Sequence, residues 1–258
     1  MALIKKFRIK SFKDKGTLLK LDKISFFFNK REILSNLNLK INKQEIVGML
    51  GPNGVGKSTI FHIITGLKDP SYGKVFISGV DCTNIPIYER ATRFKLGYVP
   101  QHGGFIQDLN LIDNLNLVGE IHIKDKNQRD LKIEKLISQF EFDPLLKIKA
   151  KYLSGGQKKK LVISMALIND PNILLLDEPF AALDILTIKM LQEIIVNLQS
   201  QEKITVVVCD HQARDLLSCV DRAIVLSNGK IIAEGSPSEI INDTNARSAY
   251  FGNEFKIN

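Results

Sequence analysis

A short segment, residues 45–66, constrains the fold more than any other part of the chain. It reads EIVGMLGPNGVGKSTIFHIITG, which indicates a buried strand, a glycine-rich loop and a helix. The loop fits the pattern G-x-x-x-x-G-K-[ST] through Gly51, Gly56, Lys57 and Ser58. Backbone N–H groups can surround an anion where glycine lacks a Cβ, and the helix N-terminus adds partial positive charge. The segment therefore predicts a phosphate site on an α/β fold.

The lysine and the hydroxyl residue of this pattern have separate chemical tasks. Lys57 is placed to reach the β- and γ-phosphates of a nucleotide, and Ser58 offers a hydroxyl to Mg²⁺. The strand before the loop and the helix after it are the context that the motif requires. We therefore predict that the whole loop contacts the nucleotide, through Gly51, Pro52, Asn53, Gly54, Val55, Gly56, Lys57, Ser58 and Thr59.

Two further strands end in residues that suit the same site. The segment NILLLDEP places Asp177 and Glu178 at the carboxyl end of a buried strand, the edge of an open α/β sheet where ligands bind. Asp177 is predicted to hold the metal, mostly through water, and Glu178 to polarise the attacking water as general base. The strand ITVVVCD leads to His211, which would arrive at the same edge, near the γ-phosphate.

The pattern along the rest of the chain predicts an α/β fold. Residues 19–50 indicate strands with NKRE as a turn, and residues 73–100 indicate further short strands. Residues 105–170 are typical of helices. After them, compact apolar strands alternate with helices, and a hairpin turns at Asn228-Gly229. This alternation predicts a parallel sheet covered on both faces.

Composition restricts the class of protein. No apolar run approaches the roughly 18–20 residues that span a bilayer. The three cysteines, Cys82, Cys209 and Cys219, lack metal-binding spacing and fit a reducing compartment. The net charge of +8 is concentrated partly before Gly16, where apolar and basic residues alternate. Two interpretations of this start stay open: a solvated terminus, or a segment that touches a membrane surface or a membrane partner.

A second glycine-rich segment, YLSGGQKKK at residues 152–160, needs its own explanation. Its LSGGQ resembles the signature motif of ATP-binding cassette (ABC) ATPases. Other motifs of that family stand in order: the phosphate loop, YVPQ ending at Gln101, LSGGQ, ILLLDEP, ALD ending at Asp184, and finally His211. The resemblance covers nearly the whole chain from about residue 19.

The resemblance implies the fold class and its divisions. The class is an α/β P-loop NTPase of the ABC nucleotide-binding type, with a RecA-like parallel core, an N-terminal antiparallel β subdomain and a helical subdomain. The cassette would occupy residues 19–245, with the helical subdomain at about residues 105–160. Residues 1–18 would be a basic extension, and residues 246–258 a C-terminal tail.

The resemblance also implies a role for each motif. The signature residues would bind the γ-phosphate of ATP held by a second copy of the chain, and they are Ser154, Gly155, Gly156 and Gln157. Gln101 would contact Mg²⁺ and the attacking water while its loop senses a membrane partner. Asp184 would lie at the dimer interface. Phe28 stands where a tyrosine usually stacks on adenine, although Phe26 and Phe27 leave the register open.

A finer resemblance is to the ATPase subunits of lipopolysaccharide exporters. It rests on IPIYERATRFKLGYVPQ, on DEPFAALD with Phe180, and on the ending with Glu254-Phe255-Lys256. It implies a homodimer on the cytoplasmic face of the inner membrane that drives two integral-membrane permease subunits and has no nucleic-acid partner. The chain departs from that group in lacking a basic residue soon after Gln101 and in having ALD where GVD is frequent.

Two alternatives stay open on the sequence. ATPases of branched-chain amino-acid importers resemble this group and can end in a similar Y-x-G segment. A non-transport cassette ATPase acting on nucleic acid or ribosomes would fit the basic charge. Such proteins usually carry two cassettes or long inserted coiled coils, and the sequence has neither.

Overall fold

A computed structural model describes residues 16–252. The basic segment before Gly16 and the tail residues Glu254, Phe255 and Lys256 lie outside the described residues, so their predicted roles stay predictions. The strands of the described part are β1 (Thr17–Phe28), β2 (Arg31–Asn42), β3 (Ile46–Leu50), β4 (Tyr72–Ile77), β5 (Val80–Asp81), β6 (Leu96–Val99), β7 (Ile173–Asp177), β8 (Thr205–Cys209), β9 (Arg222–Ser227) and β10 (Lys230–Gly235).

Helices connect these strands. They are α1 (Lys57–Thr65), α2 (Ile87–Arg93), α3 (Leu111–His122), α4 (Lys126–Phe140), α5 (Gly155–Leu167), α6 (Ile185–Ser200), α7 (Ala213–Leu217), α8 (Pro237–Asn242) and α9 (Thr244–Ala246). Short 3₁₀ turns occupy Asp143–Leu145 and Ala150–Tyr152, and a π-helical turn occupies Arg247–Phe251. In the part of the chain that the structure describes, no helix has both the length and the apolar character needed to cross a bilayer.

Two sheets divide the strands. An antiparallel sheet has the order β2-β1-β4-β5. A six-stranded sheet has the order β10-β9-β3-β8-β7-β6, parallel from β9 to β6, with β10 antiparallel at the edge. Every residue of β3, β7 and β8 is buried, as expected for central strands that helices cover on both faces. The predicted parallel core and antiparallel sheet are therefore confirmed.

Side-chain alternation along the central strands separates two hydrophobic clusters. On β7, Leu174 and Leu176 face the cluster that includes α3 to α7, whereas Ile173 and Leu175 face the cluster formed with α1 and the antiparallel sheet. The parallel sheet thus lies between the two layers, and its loops at the carboxyl edge are held from both sides.

Two local predictions were wrong. The turn after β1 is only Asn29-Lys30, because Arg31 already pairs with Phe28. The segment within residues 73–100 that was predicted as strand contains helix α2. Its Arg90 is fully buried and donates to the carbonyl oxygens of Ile63 and Ile64, at 2.7 and 2.9 Å, and to two carbonyls of the preceding loop.

Arg90 therefore supplies donors to the C-terminal end of α1, where helix carbonyls lack partners within the helix. This tertiary contact fixes α2 in place, and the local sequence pattern does not reveal it. It also anchors the helix that begins at the phosphate loop.

Candidate functional site

The glycine-rich loop joins β3 to α1 and needs its glycines for close backbone contacts. Gly51 has φ +148°, and a Cβ there would lie 2.5 Å from the carbonyl oxygen of Leu226. Gly56 has φ +111°, and a Cβ there would lie 2.7 Å from Leu34 Cδ2. Both positions therefore exclude other residues by conformation and by space. The sequence required glycine at these two positions, and the structure gives the steric reason.

The loop ends in a helix start that offers donors to an anion. Gly56 is the N-cap of α1 and supplies no side-chain cap, and no acidic residue lies in the first turn. Lys57 is almost fully buried, and its Nζ donates to the carbonyl oxygens of Gly51 and Pro52, at 2.7 and 3.1 Å. An ammonium held against the loop beside a helix N-terminus is a suitable arrangement for phosphate.

Asp177 lies opposite the first turn of α1, because β7 ends beside β8 at the same edge as β3. Its carboxylate is buried, and its Oδ1 accepts hydrogen bonds from Ser58 Oγ and from Cys209 Sγ, both at 3.2 Å. Its Oδ2 accepts one from Tyr98 at 3.4 Å. A hydroxyl and a carboxylate oxygen in contact are the oxygen donors that Mg²⁺ prefers, so Ser58 and Asp177 fit this metal.

Glu178 follows in a left-handed conformation, with φ +45°, and its backbone N–H donates to the carbonyl oxygen of Cys209 at 2.7 Å. This geometry turns the carboxylate out of the strand. The Oε2 of Glu178 accepts a hydrogen bond from Gln101 Nε2 at 2.7 Å and lies 3.5 Å from His211 Nδ1. Three residues predicted from separate motifs therefore meet at one carboxylate.

Asp210 holds the loop that carries His211. It is fully buried and accepts hydrogen bonds from the backbone N–H groups of Phe180 and Gln212, both at 2.9 Å. Its Oδ1 also lies 3.5 Å from His211 Nδ1. Burial raises the pKa of the Asp210 carboxyl, and the two backbone donors oppose that rise. Asp210 thereby ties the histidine loop to the segment after Glu178.

The signature segment forms the start of α5 and stands apart from this cluster in its contacts. Ser154 is the N-cap: its Oγ accepts from the N–H of Gln157 at 3.3 Å, and its own N–H donates to Gln157 Oε1 at 2.8 Å. This reciprocal pair is a capping box. Ser154 and Gly155 are exposed. The hydrogen bonds of this end of the helix thus stay within the helix itself.

Asp184 lies beside the signature segment. It is the N-cap of α6, and its carboxylate accepts from the N–H and Oγ1 of Thr187, at 3.0 and 2.6 Å. These bonds lower the pKa of the Asp184 carboxyl. Gly156 packs directly on Thr187, where a Cβ would lie 2.5 Å from the threonine Cγ2. Asp184 and the signature glycines therefore form one surface, separate from the phosphate loop.

Lys159 is a site residue that sequence reasoning missed. Its Nζ donates to the backbone carbonyl oxygen of Gln101 at 2.8 Å, and burial lowers its pKa. The neighbouring Lys160 Nζ donates instead to the backbone carbonyl oxygen of Phe140, at 3.2 Å. Three consecutive lysines look equivalent in the sequence, and only the rotation of α5 against the Gln101 loop distinguishes them. Cys209 and Tyr98 were missed as contacts of Asp177, because their approach depends on the register of β6, β7 and β8.

The three phenylalanines at the end of β1 differ in exposure. Phe28 is 57 % exposed and Phe27 is 42 % exposed, whereas Phe26 is partly buried. Phe27 contacts Tyr72 edge to face, with ring centroids 6.3 Å apart. Phe28 has Lys68 Nζ over its ring at 5.7 Å. Phe28 therefore has the ring surface that a stacked base would need.

The fold and the first cluster define a class of protein. A glycine-rich loop between β3 and α1 faces an aspartate at the end of β7 and the glutamate that follows it, with β8 between the two strands. This arrangement is that of a P-loop nucleoside triphosphatase. A family model described as ABC transporter matches residues 34–181, and the chain belongs to that family of ATP-binding, ATP-hydrolysing transport subunits.

Similar proteins agree with this assignment. The chain is 35% identical to the "Lipopolysaccharide export system ATP-binding protein LptB" of Haemophilus influenzae, over 93% of this chain and 100% of that protein. Among solved structures it resembles the ATP-binding cassette MJ1267, with a TM-score of 0.83 and 25% identity over 92% of this chain and 100% of the other.

A second solved structure is described as a dimer. It is the "dimeric structure of a post-hydrolysis state of the ATP-binding cassette MJ0796 bound to ADP and Pi", with a TM-score of 0.77 and 28% identity over 85% of this chain and 99% of that one. The chain is therefore similar to LptB ATPases in sequence and to ABC cassettes in fold.

Proposed function

We propose that this chain is the ATPase subunit of a lipopolysaccharide exporter, in which it acts as a homodimer on the cytoplasmic face of the inner membrane. One observation carries the dimer: Ser154 and Gly155 are exposed at the start of α5, bonded only within their own helix, whereas Lys57 and Ser58 face the carboxyl edge of the sheet. A helix N-terminus can bind an anion through its N–H groups. Because this one lies apart from the phosphate loop of its own chain, we expect the phosphate to come from ATP bound to a second copy.

The named relatives support the choice of cargo. The LptB proteins of Haemophilus influenzae and of Escherichia coli K12 match 93% and 88% of this chain, and the match extends over 100% and 94% of their own lengths. The dimeric cassette MJ0796, which was solved with ADP and phosphate, supports the use of two copies. Separate permease subunits would supply the membrane path, and loops near Gln101 would contact them.

In the proposed closed dimer, each phosphate loop is completed by the signature segment of the other copy. Lys57 exchanges its bonds to Gly51 and Pro52 for bonds to the β- and γ-phosphates. Ser58 and Asp177 would hold Mg²⁺, which would offset negative charge on the phosphates. Glu178 accepts a proton from the attacking water while Gln101 and His211 keep its carboxylate oriented. Preference of ATP for the closed state supplies the work of transport.

A mixed dimer tests the sharing of the site. Lys57→Ala and Ser154→Arg chains carry different affinity tags, and only dimers with both tags are purified. One site then has both defects and the other has neither, so the mixed dimer should recover about half of the wild-type ATPase activity in a two-fold symmetric assembly. Each mutant homodimer should stay near background.

The matched control is Ser236→Arg, because Ser236 is also an N-cap with a capping box, at the start of α8. A general cost of placing arginine at a capping-box serine would lower the melting temperature of both serine variants, whereas the loss of ATPase activity should be confined to Ser154→Arg. A mixed dimer as inactive as its parents would show that each site belongs to one chain.

The cargo is tested with two sets of membrane subunits. We expect the purified chain to bind permeases of a lipopolysaccharide exporter in detergent and to gain ATPase activity with them. Permeases of a branched-chain amino-acid importer serve as the comparison. Stimulation by the importer permeases alone would contradict the proposed cargo while leaving the ATPase assignment intact.

A further inference from the structure

We propose that Cys209 and Tyr98 are positioning residues that fix the Asp177 carboxylate for the divalent cation bound with the nucleotide. The inference rests on the metal-holding role proposed above for Asp177. It concerns two side chains to which the sequence motifs assign no role, one on β8 and one on β6, on either side of β7.

Strand register brings the three residues together. Asp177 is paired with Cys209 across the parallel strands β7 and β8. The Cys209 side chain is fully buried, and its Sγ lies 3.2 Å from Asp177 Oδ1. Tyr98 approaches from β6 on the other side, and its hydroxyl lies 3.4 Å from Asp177 Oδ2. The two donors thus reach different oxygens of one carboxylate.

The number of acceptor positions on the Asp177 carboxylate shows how far these contacts restrict it. A carboxylate offers about four lone-pair positions for hydrogen bonds or metal-bound water. Ser58, Cys209 and Tyr98 occupy three of them. The carboxylate therefore cannot rotate without breaking contacts on both oxygens, and one acceptor direction is left for a water molecule of the hydrated cation. Outer contacts of this kind commonly change metal affinity by about 10–100-fold when removed.

A second buried cysteine shows that this geometry is not a general property of buried thiols. Cys82 is also fully buried, and its Sγ donates to the backbone carbonyl oxygen of Val75 at 3.3 Å, a contact that helps pack β4. Cys209 instead donates to a carboxylate on a different strand, at the edge of the sheet where the phosphate loop lies. Cys82 is therefore a matched control.

The test measures coupling between metal and nucleotide, with no turnover involved. The affinity for a fluorescent ADP analogue is measured with Mn²⁺ and with EDTA, and the ratio gives the contribution of the metal. We expect Cys209→Ala and Tyr98→Phe each to reduce this ratio about tenfold, with the affinity in EDTA unchanged. Cys209→Ser should restore most of the ratio because a hydroxyl can donate to the same oxygen. Cys82→Ala should keep the wild-type ratio.

Asp177→Asn distinguishes the two ways of failing. If it removes the effect of Mn²⁺ while Cys209→Ala and Tyr98→Phe keep the wild-type ratio, the positioning role is wrong and the metal assignment stands. If Asp177→Asn also keeps the wild-type ratio, the metal assignment is wrong and the positioning role fails with it. Melting temperatures identify unfolded variants, and if Cys209→Ala does not fold, Cys209→Ser and Tyr98→Phe carry the test.

Discussion

The phosphate-loop region and the signature region of this chain differ in where their polar groups find hydrogen-bond partners. Around the loop, Lys57 bonds to carbonyl oxygens of the loop itself, and Asp177 and Glu178 bond to residues from other strands and loops, so that both carboxylates are held by tertiary structure. At the signature, Ser154 bonds within its own helix and faces solvent. The carboxylates of the phosphate-loop region are thus held in place within one chain, whereas the signature region presents an exposed helix start. This difference is consistent with the proposal that the second region acts on another copy of the chain.

The largest effect is expected from removing the proposed base in the first region. Glu178→Gln keeps the size of the side chain and loses the carboxylate that can accept a proton. We expect turnover to fall by about 10²- to 10⁴-fold, the usual contribution of a general base. ATP affinity should be retained, and an ATP-bound dimer should accumulate, as judged by gel filtration. Glu202→Gln, at a glutamate bonded to Gln139 on the surface, is the control.

Normal turnover in the Glu178→Gln variant would contradict the assignment of the base. It would also weaken the comparison, because the tertiary contacts to Glu178 would then serve only to hold the loop. A low turnover in which ATP binding is also lost would indicate a damaged fold, which the melting temperature checks.

The second-largest effect is expected at Gly156, where the signature segment packs against Thr187. Gly156→Ala places a Cβ against Thr187 Cγ2, and overpacking of this kind typically costs about 1–3 kcal/mol. We expect lower ATPase activity and a lower melting temperature. Adding Thr187→Ser removes that methyl group and keeps the hydroxyl bonded to Asp184, so the double variant should recover both properties.

Thr187→Ser alone is the control for this pair and should be nearly neutral. If the double variant stays as impaired as Gly156→Ala, the glycine is required for a reason other than its contact with Thr187, such as the approach of a phosphate.

Some parts of the fold and of the site could be predicted from the sequence and others could not, because only local patterns are visible there. The phosphate loop and β7 were visible because a continuous apolar run, ended by a glycine or an acidic residue, is a local signal. Helix α2 was missed because Arg90 is satisfied by carbonyls 26 and 27 residues away. The contact of Cys209 with Asp177 spans 32 residues and depends on strand register, which no local pattern encodes.

The third prediction concerns the contact between the two regions. Lys159, in the signature helix, donates a hydrogen bond to the backbone carbonyl oxygen of Gln101. It therefore links the signature region to the residues around Glu178. Lys159→Met keeps most of the aliphatic stem and removes the charged donor. Hydrogen bonds of charged groups contribute about 1.5–3 kcal/mol, so we expect about a tenfold loss in kcat. ATP affinity should change little, because Lys159 does not contact the phosphate loop in this structure.

Lys158→Met is the matched control, one position away on the same helix, and should be near wild type. Equal losses in the two variants would mean that the lysines act through general positive charge. A loss confined to Lys159→Met would identify a specific link between the signature helix and the Gln101 loop.

The smallest effect is expected at Phe28, where the first region is least supported by tertiary contacts. Aromatic stacking contributes about 0.5–1.5 kcal/mol, and an exposed ring should lie at the low end, so Phe28→Ala should weaken ATP binding about two- to fivefold. Phe28→Tyr should be neutral because it keeps the ring face. Phe27→Ala is the comparison, since that ring packs edge-on against Tyr72. A larger loss of ATP affinity in Phe27→Ala than in Phe28→Ala would move the stacking role by one residue, to the opposite face of β1.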